Sequence, residues 1–401
     1  MYKKAGFTFA SRAINAILNF ALIVWISHLL GPEVRGKCAF YQIIIVIIVG
    51  ISEIAGGAVT AFLMQRFHSV DILRIHGKWV ILPVILVPLI FFIGHAILPG
   101  EMALLMLGGW FHCKWNMQQH VLLALQKFDR FNASIILAPM LSLTFFGAFA
   151  LLGFLSEVSY LVSLFSAWAV LYVLSFIFLR ETFSAEKYHK RPLPSFRDLA
   201  GPGLLNQLAH IVALLNNRLI FFLFPAAQLG LWSNTLTLAE ALLLVPGSLG
   251  QVIYAQLASK SNLYNPIVTF KKASGLNLAL MGGGIIILAA LPDSIWSLVF
   301  GRGFTGLRDL LVIILPGLGF YSFYILITYV QSARGRFLLN LVPLMAGLLL
   351  NLGATYWLKT NGNYSLSNAI SILSVSWFFV FALAILLFFL NTSHQPSGTQ
   401  S

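Results

Sequence analysis

His112-Cys113-Lys114-Trp115-Asn116-Met117-Gln118-Gln119-His120 is polar for two turns and then runs into Val121-Leu122-Leu123-Ala124-Leu125. The stretch lies in residues 102–125, an otherwise apolar run long enough to cross a bilayer, which takes about 20 residues as a helix. A helix of that length with a polar belt at its middle is neither a soluble core helix nor a plain anchor. Polar side chains at membrane depth must face protein or a water-filled space, because lipid offers them no hydrogen bonds. On the helical repeat His112, Asn116 and Gln119 share one face, with Lys114 and Gln118 on an adjacent stripe. The reading that follows is a bundle of membrane helices around a wet lining.

The rest of the chain agrees. Its 401 residues are 59% hydrophobic and 9% charged, against about 25% charged in a soluble protein. Twelve apolar runs of spanning length are expected, at roughly 7–29, 38–64, 79–98, 102–125, 132–153, 158–179, 201–224, 229–257, 273–291, 307–330, 337–358 and 366–390. Net charge is +13, an excess that would suit nucleic acid if it lay on one surface. It lies in alternate loops instead. Seventeen of the 25 Lys and Arg residues fall at the N-terminus or in junctions after even-numbered spans, five in junctions after odd-numbered spans, and three inside spans. The positive-inside rule then places both termini in the cytoplasm. Lys3 and Lys4 precede a long apolar run with no small-residue cleavage site, so that run reads as a retained first helix, not a signal peptide.

The longest polar stretch, 180–199, contains Lys190-Arg191-Pro192-Leu193-Pro194 and separates six spans from six. It delimits an N-terminal lobe at 1–179, a basic cytoplasmic linker, a C-terminal lobe at 200–390 and a polar tail at 391–401. A weak internal echo supports two parallel repeats. Leu30-Gly31-Pro32-Glu33 stands opposite Phe224-Pro225-Ala226-Ala227, and Phe128-Asp129-Arg130-Phe131 opposite Arg334-Gly335-Arg336-Phe337. The expected fold is therefore an all-α integral membrane protein of twelve transmembrane helices in two six-helix lobes. A pseudo-two-fold axis along the membrane normal relates the lobes.

Five charged residues sit inside spans: Arg12, Lys114 and Arg218, and the carboxylates Glu53 and Glu240. In span 1, Arg12, Asn15 and Asn19 share a face. Arg12 is about 8 Å from the cytoplasmic end at 1.5 Å per residue, so two readings stand: snorkelling to the headgroups, or lining a wet lumen with the two asparagines. Glu53, near mid-span, is either a structural ion-pair partner, with Arg12 as a candidate, or a proton- or sodium-linked carboxylate. Gly56-Gly57 beside it permits close helix approach. In span 7, Asn206, His210 and Asn217 share a face, with Gln207 and Arg218 beside it. Arg218 lies near the outer end, where snorkelling is open to it, and Glu240 in span 8 is positioned to pair with it. Asn277, Asn340 and Asn351 read as interhelical hydrogen bonds. Prolines at 83, 88, 139, 246, 316 and 343 permit kinks.

Catalytic patterns are absent: no phosphate-loop lysine motif, no His-Glu-x-x-His, no Gly-x-Ser-x-Gly. Cys38 and Cys113 alone support neither a disulfide framework nor a cysteine-based metal site, and the histidines lack ligand spacing. No cofactor, metal or nucleic acid is expected. The sequence holds no soluble domain for ATP hydrolysis, which leaves an ion gradient, the membrane potential or substrate consumption to drive transport.

Four segments together resemble the multidrug/oligosaccharidyl-lipid/polysaccharide (MOP) exporter superfamily, and within it the Wzx-type flippases of bacterial polysaccharide assembly. They are Leu29-Leu30-Gly31-Pro32-Glu33-Val34-Arg35-Gly36 after span 1, Leu229-Gly230-Leu231-Trp232-Ser233 through Val245-Pro246-Gly247-Ser248-Leu249 in span 8, Phe300-Gly301-Arg302-Gly303-Phe304 before span 10, and Leu315-Pro316-Gly317 within it. The resemblance implies a multi-pass protein of the bacterial cytoplasmic membrane that flips undecaprenyl-pyrophosphate-linked oligosaccharide units, of O-antigen or capsule type, by alternating access. It further implies two six-helix lobes around a cationic cavity, and as partners the lipid-linked oligosaccharide, membrane lipid, a coupling H+ or Na+, and the polymerase and glycosyltransferases of the pathway. A diphosphate needs Arg or Lys to replace its hydration, the role Arg12, Lys114 and Arg218 would fill. Sugars would be met by Asn15, Asn19, Trp115, Asn116, Gln119, Asn206 and His210. The chain lacks the helices beyond twelve that members handling peptidoglycan precursor carry, which turns the reading away from that substrate. A drug or metabolite antiporter of the same superfamily is the alternative, although a cationic cargo would want an acidic cavity. An integral-membrane enzyme of polysaccharide assembly would need a larger loop bearing catalytic residues.

Overall fold

The computed structural model describes residues 2–94, 96–186, 192–258 and 266–393. Lys187, Lys190 and Arg191 of the basic linker, Lys260 and the tail from 394 lie outside the described residues, as do the side chains of Lys3 and Lys4. All regular structure among the described residues is helical. Nine of these helices are long and apolar enough to cross a membrane, the first of them within Ala10–Ser52. The chain divides into two compact units, Met1–Gln207 and Leu208–Ser401.

Unit 1 contains α1 (Tyr2–Ser52), α2 (Thr60–Leu63), α3 (Ser69–Trp79), α4 (Ile81–Ile93), α5 (Pro99–Ala124), α6 (Phe128–Leu151), α7 (Glu157–Glu186) and α8 (Phe196–Ala200). The stretches read as spans 1 and 2 form one run of helix, broken at Gly31 with φ 71° and followed by Pro32. Glycine adopts that φ without the Cβ clash other residues would suffer, and Pro32 restarts a helix at a position that needs no N–H donor. Beyond the break α1 turns strongly apolar, and Ile44, Ile45 and Ile48 bury against Leu105 and Cys113 of α5, Phe146 of α6 and Leu161 of α7. The expected continuous span 38–64 is interrupted. After Ser52 the chain unwinds through Gly56 (φ 130°) and Gly57 (φ 52°) before a short 3-10 turn and α2. A Cβ on Gly56 would stand 2.6 Å from Met117 Cε, so glycine here both permits the turn and lets α5 approach. Lipid-facing character is plain in α4: Ile81, Leu82, Ile85, Leu86, Ile90 and Ile93 are exposed, while Val84 and Val87 point inward.

The chain enters unit 2 through α9 (Leu204–Arg218), followed by α10 (Ala226–Leu242), α11 (Leu244–Ala258), α12 (Pro266–Ala290), α13 (Asp293–Phe300), α14 (Leu307–Ala333), α15 (Leu338–Thr360) and α16 (Leu366–Ser393). The run read as span 8 is two helices meeting at Leu243, three residues before Pro246. At the centre lies α14, packed against α10, α11, α12 and α16 and buried along most of its length. Small residues set its spacing: a Cβ on Gly317 would fall 2.5 Å from Ser374 Cα, and the Gly317 amide donates to Ser374 Oγ at 3.0 Å. Close approach with an interhelical hydrogen bond is how membrane helices associate where lipid supplies no hydrophobic drive. Asn277 and Asn340, read from sequence as helix-to-helix bonds, donate to Ser322 Oγ at 2.7 Å and Ser332 Oγ at 3.0 Å.

Candidate functional site

Glu53 sits where α1 stops and the glycines unwind the chain. The carbonyl end of a helix disfavours a carboxylate, so the group must be compensated by donors, and three residues supply them. Asn116 Nδ2 donates to Glu53 Oε1 at 2.8 Å, His120 Nε2 lies 3.1 Å from the same oxygen, and Gln207 Nε2 stands 3.3 Å from Oε2. The Gln207 amide also donates to the Gly50 carbonyl at 2.8 Å, capping the frayed end of α1. Asn116 and His120 are i and i+4 on α5 and reach Glu53 as a pair. The side chains of Glu53 and His120 are 19% and 25% exposed, so the pair is shielded but still open to proton exchange.

The remaining polar residues of α5 point elsewhere. His112 stacks on Trp168 of α7 at 4.1 Å between ring centres and 13° between planes, and on Trp115 at 5.6 Å. Gln119 is buried and donates to Ser175 Oγ of α7 at 3.0 Å. These two therefore serve the α5–α7 contact. Lys114 turns to the opposite side, where its ammonium lies on Gly77 of α3 and 5.6 Å from the centre of the Trp110 ring. There it borders a cleft of about 490 Å3 formed by the start of α3, by α5 and by α7.

On α1 the three candidates remain local. Asn19 Nδ2 donates to the Asn15 carbonyl at 2.9 Å and to its side-chain oxygen at 3.1 Å, and Arg12 is half-buried. Among the described residues no carboxylate lies within ion-pair distance of Arg12 or Lys114. Arg35, which the tally of loop charges places outside the helices, is only 2% exposed. Sequence reading missed this burial because Arg35 follows a glycine-proline break that looks like a loop.

In unit 2, Arg218 Nη2 lies 2.9 Å from the Glu240 carboxylate, with the two side chains 20% and 34% exposed. His210 is exposed, and Asn206, just before the unit boundary on the same helix, is half-buried. Immediately before Arg218, Asn216 and Asn217 bond to neighbouring helices. Asn351 Nδ2 donates to Asn216 Oδ1 at 2.9 Å, Asn216 Nδ2 to Ser376 Oγ at 3.1 Å, and Ser376 Oγ to the Gly347 carbonyl at 2.9 Å. Trp377 Nε1 donates to Asn217 Oδ1 at 2.8 Å while its ring stacks on Tyr321 at 5.1 Å. Sequence reading singled out Asn217 and Asn351 but not Asn216 of α9, nor Ser376 and Trp377, which carry no periodic signal in a helix as apolar as α16. Among the described residues no group of three His, Cys, Asp or Glu side chains converges as a metal site would require.

No protein-family model matches the chain, and no curated protein sequence matches it significantly. Solved structures do match in fold. Lipid II flippase MurJ, in an inward closed conformation, superposes with a TM-score of 0.70 at 14% identity, over 96% of this chain and 87% of that one. An inward-facing multidrug resistance MATE family transporter of the MOP superfamily gives 0.67 at 12% identity, over 94% of each chain. A MOP superfamily transporter from Pyrococcus furiosus, described by the reverse polarity of its binding pocket, gives 0.64 at 13% identity, over 96% and 94%. At such identities the likeness establishes the fold alone: the chain is a multi-pass membrane protein with the fold that MurJ and the MATE proteins share.

Proposed function

We propose that this protein flips undecaprenyl-pyrophosphate-linked oligosaccharide units across the bacterial cytoplasmic membrane by alternating access. In this proposal it has twelve crossings in two six-helix lobes and both termini in the cytoplasm. The observation that carries the reading is the charge balance inside the helices. Glu240 is already bound to Arg218, and Glu53 is held by two amides and an imidazole. Arg12 has no carboxylate in reach among the described residues. Intramembrane charge that is uncompensated by the protein is costly, and here it is positive, which suits an anionic cargo. Arg12 and Arg218 are the cations we assign to the diphosphate. Arg218 would exchange Glu240 for phosphate oxygens, which arginine binds in the same bidentate manner as a carboxylate.

The Glu53–His120 pair favours a second reading, an ion-coupled antiporter of drugs or metabolites. A carboxylate that can share a proton is what H+ coupling requires, although the same pair serves a proton-driven flippase equally well. Replacing Arg12 or Arg218 by Ala separates the two readings in cells that depend on the protein. Surface polysaccharide should be lost while the variant stays in the membrane at wild-type abundance. Unchanged polysaccharide in both variants, with lost resistance to cationic drugs, would support the antiporter instead.

A further inference from the structure

The cleft beside Lys114 does not belong to the Glu53 cluster. Its floor and walls are Tyr172, Phe176 and Phe183 of α7, Leu73 of α3, and Lys114 and Gln118 of α5, with His68, Asp71 and Arg74 at the start of α3. Two features mark it as a place for a charged amphiphile. One wall is lipid-facing: Phe176 is 51% exposed and continues a strip with Val173 and Ile177, also exposed. The other is basic. Arg74 faces Asp71 at 3.4 Å, which neutralises that carboxylate, so Lys114 is left as the uncompensated charge of the lining. Gln118 adds an independent sign. It is 3% exposed, and its side-chain oxygen has no hydrogen-bond partner among the described residues. Since amide O and N exchange places by a half-turn, this position can offer an N–H to an acceptor that enters the cleft.

The geometry points to a binding site for one anionic phospholipid, with its phosphodiester between Lys114, Gln118 and Arg74 and an acyl chain along Phe176 and Val173. Net charge decides between the possible lipids. A lining of two cations and one carboxylate leaves a single positive charge, which matches a phosphodiester and not the two or more negative charges of a diphosphate. Size agrees, because about 490 Å3 takes a headgroup and the first carbons but no oligosaccharide. A zwitterionic lipid would bring an ammonium against Lys114. By the loop charges the α3 start and the α7 end lie on the cytoplasmic side, so the site draws on the inner leaflet. Lys114 then serves a bilayer lipid instead of the cargo, and the site stands whether the cargo is a diphosphate lipid or a drug.

Native mass spectrometry of the full-length protein in detergent tests this by titration with phosphatidylglycerol and, separately, phosphatidylethanolamine. The first phosphatidylglycerol should bind about tenfold more tightly than phosphatidylethanolamine. Lys114→Met should reduce the preference to under about twofold, while Lys359→Gln, a surface control on α15, should leave it intact. Equal binding of the two lipids, a preference that survives Lys114→Met, or its loss in Lys359→Gln would overturn the assignment. So would displacement of phosphatidylglycerol by millimolar inorganic phosphate, or by a polyprenyl diphosphate at equal concentration. If Lys114→Met does not reach the membrane, Gln118→Leu replaces it; a several-fold loss of preference supports the site and an unchanged preference refutes it.

Discussion

Glu53 and Glu240 are both carboxylates in otherwise apolar stretches, and the two units handle them in opposite ways. In unit 2 the charge of Glu240 is met by the guanidinium of Arg218 at 2.9 Å. The turn before it is tied down by the chain of bonds from Asn351 through Asn216 to Ser376. In unit 1 the charge of Glu53 is met by neutral donors and by His120, on a segment whose helix has just unwound at Gly56 and Gly57. A guanidinium always carries its charge, whereas an imidazole as a side-chain type exists charged or neutral at physiological pH. Unit 2 thus holds a locked polar core and unit 1 an adjustable one.

The contrast breaks most readily at Asn216. Its replacement by Leu removes the side-chain bonds to Asn351 and Ser376 and leaves these two with the carbonyls of residues 216 and 347, and a lost buried hydrogen bond costs about 0.5–1.5 kcal/mol. A loss of about 2 kcal/mol in reversible unfolding in detergent micelles is expected, and a loss under about 0.5 kcal/mol would show that the network locks nothing. A smaller effect is expected from the ion pair. A double-mutant cycle of Arg218→Met and Glu240→Gln should return a coupling of about 1 kcal/mol, since both side chains are partly solvated. Zero coupling would remove Glu240 from the charge balance. The least effect on stability belongs to Glu53→Gln, which keeps an oxygen for Asn116 and His120. Unfolding should change by less than about 1 kcal/mol, while the transport rate loses its dependence on an imposed pH gradient. A variant that remains as gradient-sensitive as the wild type would place coupling elsewhere.

Much of this architecture was readable in the residues, because a bilayer demands long apolar helices and their lengths show in the sequence. The breaks were less readable. Gly56-Gly57 reads as a close-packing pair; Gly56 packs closely on Met117, whereas Gly57 lies against Glu53 of its own segment. That both residues take positive φ and interrupt span 38–64 depends on tertiary contacts with α5 that no periodicity encodes. The polar belt of α5 shows the same limit. Helical spacing placed His112, Asn116 and Gln119 on one face, yet Asn116 meets Glu53, Gln119 meets Ser175 and His112 lies between two tryptophans. Periodicity assigns residues to a face; the neighbour that covers each turn of that face is a property of the fold. Arg218 and Glu240 are 22 residues apart on consecutive spans, and such pairs are easier to anticipate because short connections keep neighbouring helices adjacent.

The central claim is that the positive charge left uncompensated within the helices serves an anionic cargo. Its most direct test is transbilayer movement in proteoliposomes that contain the purified protein and a fluorescently labelled polyprenyl-diphosphate oligosaccharide, read as the fraction of label that a membrane-impermeant reductant can quench. The account predicts that quenching rises well above the half expected from one leaflet, and that Arg12→Gln returns it to the value of protein-free vesicles. Quenching fixed at one leaflet in the wild type, together with proton-driven uptake of a cationic dye by the same vesicles, would contradict it.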